Sequence, residues 1–265
     1  MTEQDVVLVD ISDRVATITL NRPEQRNALN RHVRKALPEA ITACDANDDV
    51  DVMILTGADP AFCAGVDLKE FGSGQGQPGE GFAEVGDGRT SFRGALPPHA
   101  KPLIGAINGV AVTGGFEVAL NCDFLIASDR ARFSVTHARV GVMPGWGLTV
   151  LLAQRIGIGR AKQMSVTGNY VDAATACAWG LVNEVVPHEG LLPYCRKLAA
   201  DIVTNDQAGV RRMIQTYNEV TATTIDEGWK IEAKVSREWE GAGFDPAAIE
   251  ARRQQVVNRG REQIR

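Results

Sequence analysis

Between Val6 and Val186 short β-rich runs alternate with helical patterns, and after Glu189 only helical patterns remain. That alternation places the chain in the α/β class. The strand-like runs are Val6–Val9, Val15–Leu20, Val52–Leu55, Leu103–Ile107, Phe124–Ala127, Arg132–Ser134 and Val182–Val186. The polar stretch Asp10–Arg14 makes the first two a hairpin. From Asn27, Leu29, Val33, Leu37, Ile41 and Cys44 recur at helical spacing, with a kink or early end expected at Pro38. Further helices are expected over Asp67–Phe71, Gly115–Cys122, Trp146–Ile156, Arg160–Val166 and Ala173–Trp179, the last capped by Asp172 and closed by Gly180. Gly57–Gly65 reads as loop and Asn108–Gly114 as a turn. Gly72–Gly94 holds eight glycines in 23 positions; it reads as a mobile loop, either an excursion over a site or a plain insertion.

The helices after Glu189 are expected near 189–203, 206–223, 226–239 and 245–263. The chain thus divides into a β/α core, 1–190, and a helical region, 191–265. Ile202, Val210, Met213, Ile214, Trp229, Ile231, Val235 and Trp239 need cover, from a neighbouring subunit or from the chain's own core.

At 265 residues the chain can bury roughly three quarters of the surface its unfolded form exposes, so its core needs no staples. Twenty-eight basic against 33 acidic side chains leave a net charge of −5. That balance gives no electrostatic footprint for nucleic acid or anionic lipid. The apolar stretch Val140–Gln154 is too short, and too broken by Pro144, Gly145 and Gly147, to span a bilayer. The N-terminus MTEQDVVLVD has neither the basic nor the apolar region of a secretory signal. Five scattered cysteines without C-x-x-C suit a reducing cytoplasm.

One internal echo bears on chemistry. Val52–Phe71 reads strand, loop, Ala-Gly-Val-Asp, helix; Leu103–Cys122 reads strand, loop, Thr-Gly-Gly-Phe-Glu, helix. Small residues at a helix entry let a ligand oxygen approach free backbone N–H groups. Two such entries facing each other, at Gly65-Val66 and Gly114-Gly115, would make an oxyanion hole; two plain glycine turns are the alternative. Glu117 in the first turn of the second helix either caps that helix or moves a proton beside the bound oxygen. His137 falls in the loop before Gly141-Val142-Met143-Pro144-Gly145. His32, His99 and His188 read as surface or structural. No G-x-G-x-x-G follows a strand, and no Walker A, H-E-x-x-H or G-x-S-x-G occurs.

These blocks resemble the crotonase, or enoyl-CoA hydratase/isomerase, superfamily over most of residues 6–190. The carriers are Leu20-Asn21-Arg22-Pro23 with Arg26-Asn27-Ala28-Leu29, Leu55-Thr56-Gly57 leading to Phe62-Cys63-Ala64-Gly65-Val66-Asp67-Leu68-Lys69, and Lys101-Pro102-Leu103-Ile104 with Ile107-Asn108-Gly109. Gly114-Gly115-Phe116-Glu117-Val118-Ala119-Leu120, Cys122-Asp123, Gly141 to Gly145, Thr167-Gly168 through Ala173 and Gly180-Leu181-Val182 complete the set. The resemblance implies a spiral of ββα units with a C-terminal helical oligomerisation region, forming trimers or dimers of trimers. It implies an acyl-CoA thioester as ligand, with coenzyme A part of the substrate and neither further cofactor nor metal. The two oxyanion donors would be the N–H groups of Val66 and Gly114. Coenzyme A contacts would fall around Arg26, Ala28, Ala64, Asp67 and Leu68. Hydratases of this family use two glutamates: the first maps onto Glu117, and His137 stands where the second would be. An imidazole there can give and take protons near neutral pH. The expected activity is enoyl-CoA hydration, with double-bond isomerisation, C–C cleavage, or acyl-CoA binding without catalysis as alternatives.

Overall fold

The computed structural model describes residues 6–72, 94–241 and 246–263. Between its end glycines, the loop expected over Gly72–Gly94 lies outside the described residues. The strands are β1 (Val7–Ser12), β2 (Val15–Leu20), β3 (Val52–Gly57), β4 (Ala61–Cys63), β5 (Leu103–Ile107), β6 (Val110–Val112), β7 (Phe124–Ser128), β8 (Arg132–Ser134), β9 (Val171–Asp172) and β10 (Glu184–Val186). The helices are α1 (Arg31–Ala46), α2 (Leu68–Gly72), α3 (Gly114–Leu120), α4 (His137–Val140), α5 (Leu148–Ile156), α6 (Ile158–Thr167), α7 (Ala173–Ala178), α8 (Leu191–Val203), α9 (Gln207–Thr221), α10 (Ile225–Gly241) and α11 (Pro246–Gln263).

The hairpin β1–β2 is antiparallel and turns tightly at Asp13 and Arg14. From β2 onward the large sheet is parallel, in the order β1-β2-β3-β5-β7-β10. A second sheet runs β4-β6-β8-β9, parallel except for the last pair. The chain repeats one unit three times: β3-β4-α2, β5-β6-α3, β7-β8-α4. Each turn adds one strand to each sheet, which is the ββα spiral expected from the resemblance. The short strands β4 and β6 lie in segments whose sequence reads as loop or turn, because three residues are too few to show alternation.

β3 is buried at every position, as a parallel strand covered on both faces should be. Its alternate residues serve two clusters. Met53 and Leu55 join the main core with Val33, Leu37, Ile41 and Cys44 of α1. Val52 and Ile54 pack with Ile104, Ala106 and Ile126 against Leu191, Cys195 and Ala199 of α8. Helix α1 begins at Arg31 rather than Asn27, with the Asn30 side chain accepting from Val33 N at 3.0 Å. Asn27 is used instead as a strut: its Nδ2 donates to the carbonyls of Ala58 (2.8 Å) and Ala61 (2.7 Å). The early end allowed for at Pro38 does not occur: α1 continues through it to Ala46. The buried stripe along it outweighs the roughly 3 kcal/mol that an internal proline costs.

Two compact units are present, 1–211 and 212–265. The first extends past the expected boundary at 190, because α8 covers one face of the large sheet. In the second, Gly228 is buried against Val220, while Met213, Tyr217, Ile225, Trp229 and Trp239 are exposed. Among the described residues, no helix is long and apolar enough to cross a membrane, and no three His, Cys, Asp or Glu side chains converge as a metal site requires.

Candidate active site

The second and third ββα turns deliver their helices to one pocket. It is a cleft that opens to solvent. Ala64, Val66, Leu68, Thr113, Gly114, Glu117, Thr136, His137, Val140, Val142, Met143, Gly145 and Trp146 line it. Its wall is mostly apolar, with Glu117 and His137 as its titratable groups.

Backbone geometry brings Val66 and Gly114 together. Leu29 forms a parallel bridge with Val66, donating to Gly65 O (2.8 Å) and accepting from Asp67 N (3.2 Å). A parallel bridge uses the groups flanking its residue, so the Val66 N–H points away from it. Gly114 is the first residue of α3, and its N–H has no carbonyl within the helix. Gly65 adopts φ +90, and a Cβ there would stand 2.8 Å from Val112 O and 3.4 Å from Gly114 N. The two helix entries are therefore in contact, and only glycine permits it. Thr113, just before α3, holds φ 53 and ψ −117, a region that a β-branched residue avoids. Its hydroxyl is hydrogen-bonded to that of Thr136, the residue before His137.

Glu117 is 1% exposed. Its Oε1 accepts from Trp146 N at 2.8 Å and from Leu148 N at 3.4 Å. Its Oε2 lies 3.3 Å from Nε2 of His137, which is 5% exposed and opens the short helix α4 rather than sitting in a loop. Nδ1 of His137 is buried and has no hydrogen-bond partner among the described residues. Carboxylate and imidazole thus touch directly, leaving no water-sized gap between them. The indole of Trp146 stands over Gly114: a Cβ at 114 would be 2.6 Å from Cζ3.

Of the residues expected to meet coenzyme A, Ala64 and Leu68 line the pocket, while Arg26, Ala28 and Asp67 are not among its lining residues. Arg26 adopts φ 50, and its carbonyl accepts from Ala64 N at 3.0 Å. Ala28 gives its carbonyl to Arg22. Asp67 pairs with Arg22 at 3.0 Å and accepts from Lys69 N at 3.2 Å. Burial works to raise the Asp67 pKa; the hydrogen bond and charge of Arg22 and the N–H groups of Glu70 and Lys69 outweigh it and hold it below the ordinary carboxylate value. Cys63, beside Gly115, has its thiol pushed up to about 12 by burial, so it supplies no thiolate. His188 links Asp59 (3.1 Å) to Ser128 (3.0 Å). Ser128 is fully buried, so this chain is a strut.

Trp146, Leu148, Thr113 and Thr136 escape detection in the sequence. Trp146 does leave a trace there, as a large aromatic residue between Gly145 and Gly147 where a turn needs none.

Two sheets wound from ββα turns, with Val66, Gly114 and the buried Glu117 lining one pocket, define an α/β enzyme of the crotonase type. The family model described as Enoyl-CoA hydratase/isomerase matches residues 10–241. The chain belongs to that family. It is 39% identical to a probable enoyl-CoA hydratase 1, peroxisomal, of Arabidopsis thaliana, over 78% of this chain and 76% of that one. It is 35% identical to a crotonyl-CoA hydratase of Syntrophomonas wolfei, over 86% of each. A crystal structure of an enoyl-CoA hydratase from Mycobacterium smegmatis superposes with a TM-score of 0.73 at 47% identity, covering 90% of this chain and 99% of that one.

Proposed function

We propose that the protein is an enoyl-CoA hydratase that adds water across the 2,3-double bond of an acyl-CoA thioester. The observation that carries the reading is the buried Glu117–His137 pair, set in the same pocket as Val66 and Gly114. The N–H groups of Val66 and Gly114 hold the thioester oxygen and stabilise the enolate charge that forms there. Glu117 takes a proton from water as its oxygen attacks C3. His137 is the second proton-transfer group: C2 receives its proton from the Glu117–His137 pair, so the sum is one water added. Because the pair is in direct contact, the water is held on its pocket side. Ala64, Leu68 and the segment from Arg26 to Ala28 with Asp67 form the edge that takes the coenzyme A portion.

The protein works as a homotrimer or a dimer of trimers, since Trp229, Trp239 and Tyr217 present apolar surface that a second copy would cover. Five free cysteines support a cytoplasmic setting. The test is hydration of crotonyl-CoA, followed by loss of enoyl-thioester absorbance, in the wild type and in Glu117→Gln. Glutamine keeps the shape but accepts no proton, so the rate falls on the order of 10²–10⁴-fold while butyryl-CoA affinity holds within a few fold. Unchanged turnover in Glu117→Gln would remove this residue from the chemistry.

A further inference from the structure

Glu117 Oε1 depends on a backbone N–H from a segment rich in breaks. Met143-Pro144-Gly145-Trp146-Gly147 contains a proline and two glycines, Gly147 has φ +101, and Met143 is 80% exposed. A segment of this composition has little local preference for one conformation. One side chain pins it to the helix that carries Glu117. Asn121, the residue after α3, donates from Nδ2 to Glu117 O at 2.7 Å and to Trp146 O at 3.0 Å. Trp146 then returns its own N–H to Glu117 Oε1 at 2.8 Å. The result is a closed ring of hydrogen bonds: Glu117 main chain, Asn121 side chain, Trp146 main chain, Glu117 side chain. The indole of Trp146 meanwhile packs over Gly114.

Resting on the hydratase reading, we propose that Asn121 is a positioning residue that acts through Trp146. It fixes the carboxylate of Glu117 and, through the indole, the Gly114 N–H, in one register. Asn121 does not line the pocket, so it touches no substrate. Its amide is suited to the task because the position calls for two donors on one nitrogen, both aimed at carbonyl oxygens.

The experiment compares wild type, Asn121→Leu and Asn121→Asp. Leucine keeps the shape and removes both donors. Aspartate keeps the shape and turns acceptor oxygens toward two carbonyls. Each variant is assayed for kcat and KM with crotonyl-CoA, for butyryl-CoA affinity, and by thermal melting, and the crystal structure of Asn121→Leu is solved. In both variants kcat falls about 10- to 100-fold with KM and butyryl-CoA affinity within a few fold, and Asn121→Asp is no better than Asn121→Leu. In the Asn121→Leu crystal, Trp146 N lies beyond hydrogen-bond range of Glu117 Oε1, more than about 3.5 Å. Wild-type kcat in either variant overturns the proposal, as does loss of folding or of butyryl-CoA affinity in step with kcat, which marks a packing residue. If the wild type itself hydrates no enoyl-CoA, the hydratase reading falls and the crystal decides alone. A retained Trp146–Glu117 bond then overturns the positioning role, and a broken one supports it.

Discussion

A methyl group at position 114 tests the pocket's design most directly. Carbon–carbon contacts settle near 3.5–4.0 Å, and the Cβ of Gly114→Ala would stand 2.6 Å from Trp146 Cζ3 and 3.4 Å from Leu29 Cδ1. The first contact overlaps by about 1 Å; the second is ordinary. Overpacking of this kind costs about 1–3 kcal/mol of stability. Relief comes by moving the indole, which drags the N–H that holds Glu117, or by moving the start of α3, which displaces the Gly114 N–H. Either displacement, on the order of 1 Å, lowers kcat about 10²-fold, close to 2.7 kcal/mol in the barrier. Phenylalanine at 146 lacks the outer ring that bears Cζ3, so Trp146→Phe should absorb the added methyl. The assay is a double-mutant cycle on kcat for crotonyl-CoA and on thermal stability. Gly114→Ala and Trp146→Phe should compensate each other by more than about 1 kcal/mol. A Gly114→Ala enzyme with wild-type kcat, or strict additivity in the cycle, would refute the contact as the link between the two halves of the site.

His137→Ala should lose on the order of 10²–10⁴ in hydration rate with butyryl-CoA affinity kept, and His137→Gln should not rescue it, because an amide donates a hydrogen bond but transfers no proton; a rate restored by glutamine would show that His137 only holds Glu117. Light scattering at micromolar concentration should give the mass of three or six chains, and a stable monomer would leave Trp229 and Trp239 without the cover assigned to them. Burial opposes the charged form of His99, but the hydrogen bond and charge of Asp123 and the carbonyl of Pro97 prevail, so its pKa is raised. That contribution to stability is complete below the unfolded value, about 6.5, and is lost as pH rises through the folded value. His99→Asn should therefore melt further below wild type at about pH 5.5 than at about pH 9, and an equal gap at both would contradict the sign.

The main strands of the large sheet were legible in the sequence because they are apolar at nearly every position: Val52–Leu55 and Leu103–Ile107 admit few other readings. The echo between the first and second turns was legible because small residues at two helix entries serve one geometric need. Three-residue strands such as Ala61–Cys63 were not, since their existence depends on neighbours far along the chain. Helix α1 does not end at Pro38 because the burial that Val33, Leu37 and Ile41 gain offsets a cost that the local rule counts alone. Glu117 and His137 could be named as candidates, but their 3.3 Å contact arises from α3 and α4 meeting in space. Arg26, Ala28 and Asp67 were named from the resemblance alone, and their contacts are with Ala64, Arg22 and Lys69 rather than with the pocket. The reach of the core to α8 shows only once Leu191, Cys195 and Ala199 are seen against Val52 and Ile54.

The left-handed backbone at Thr113 has an entropic consequence. Holding a threonine at φ 53 and ψ −117 costs about 1–3 kcal/mol, and that cost is met during folding, before any thioester arrives. The Gly114 N–H that follows is consequently already aimed, and ligand capture carries little charge for ordering it. Glycine at 113 would relieve the strain and broaden the distribution of N–H directions at once. The fold would gain stability while calorimetry of thioester binding showed a larger entropic penalty at similar enthalpy, so rigidity at this one residue passes from the folding equilibrium to the binding equilibrium.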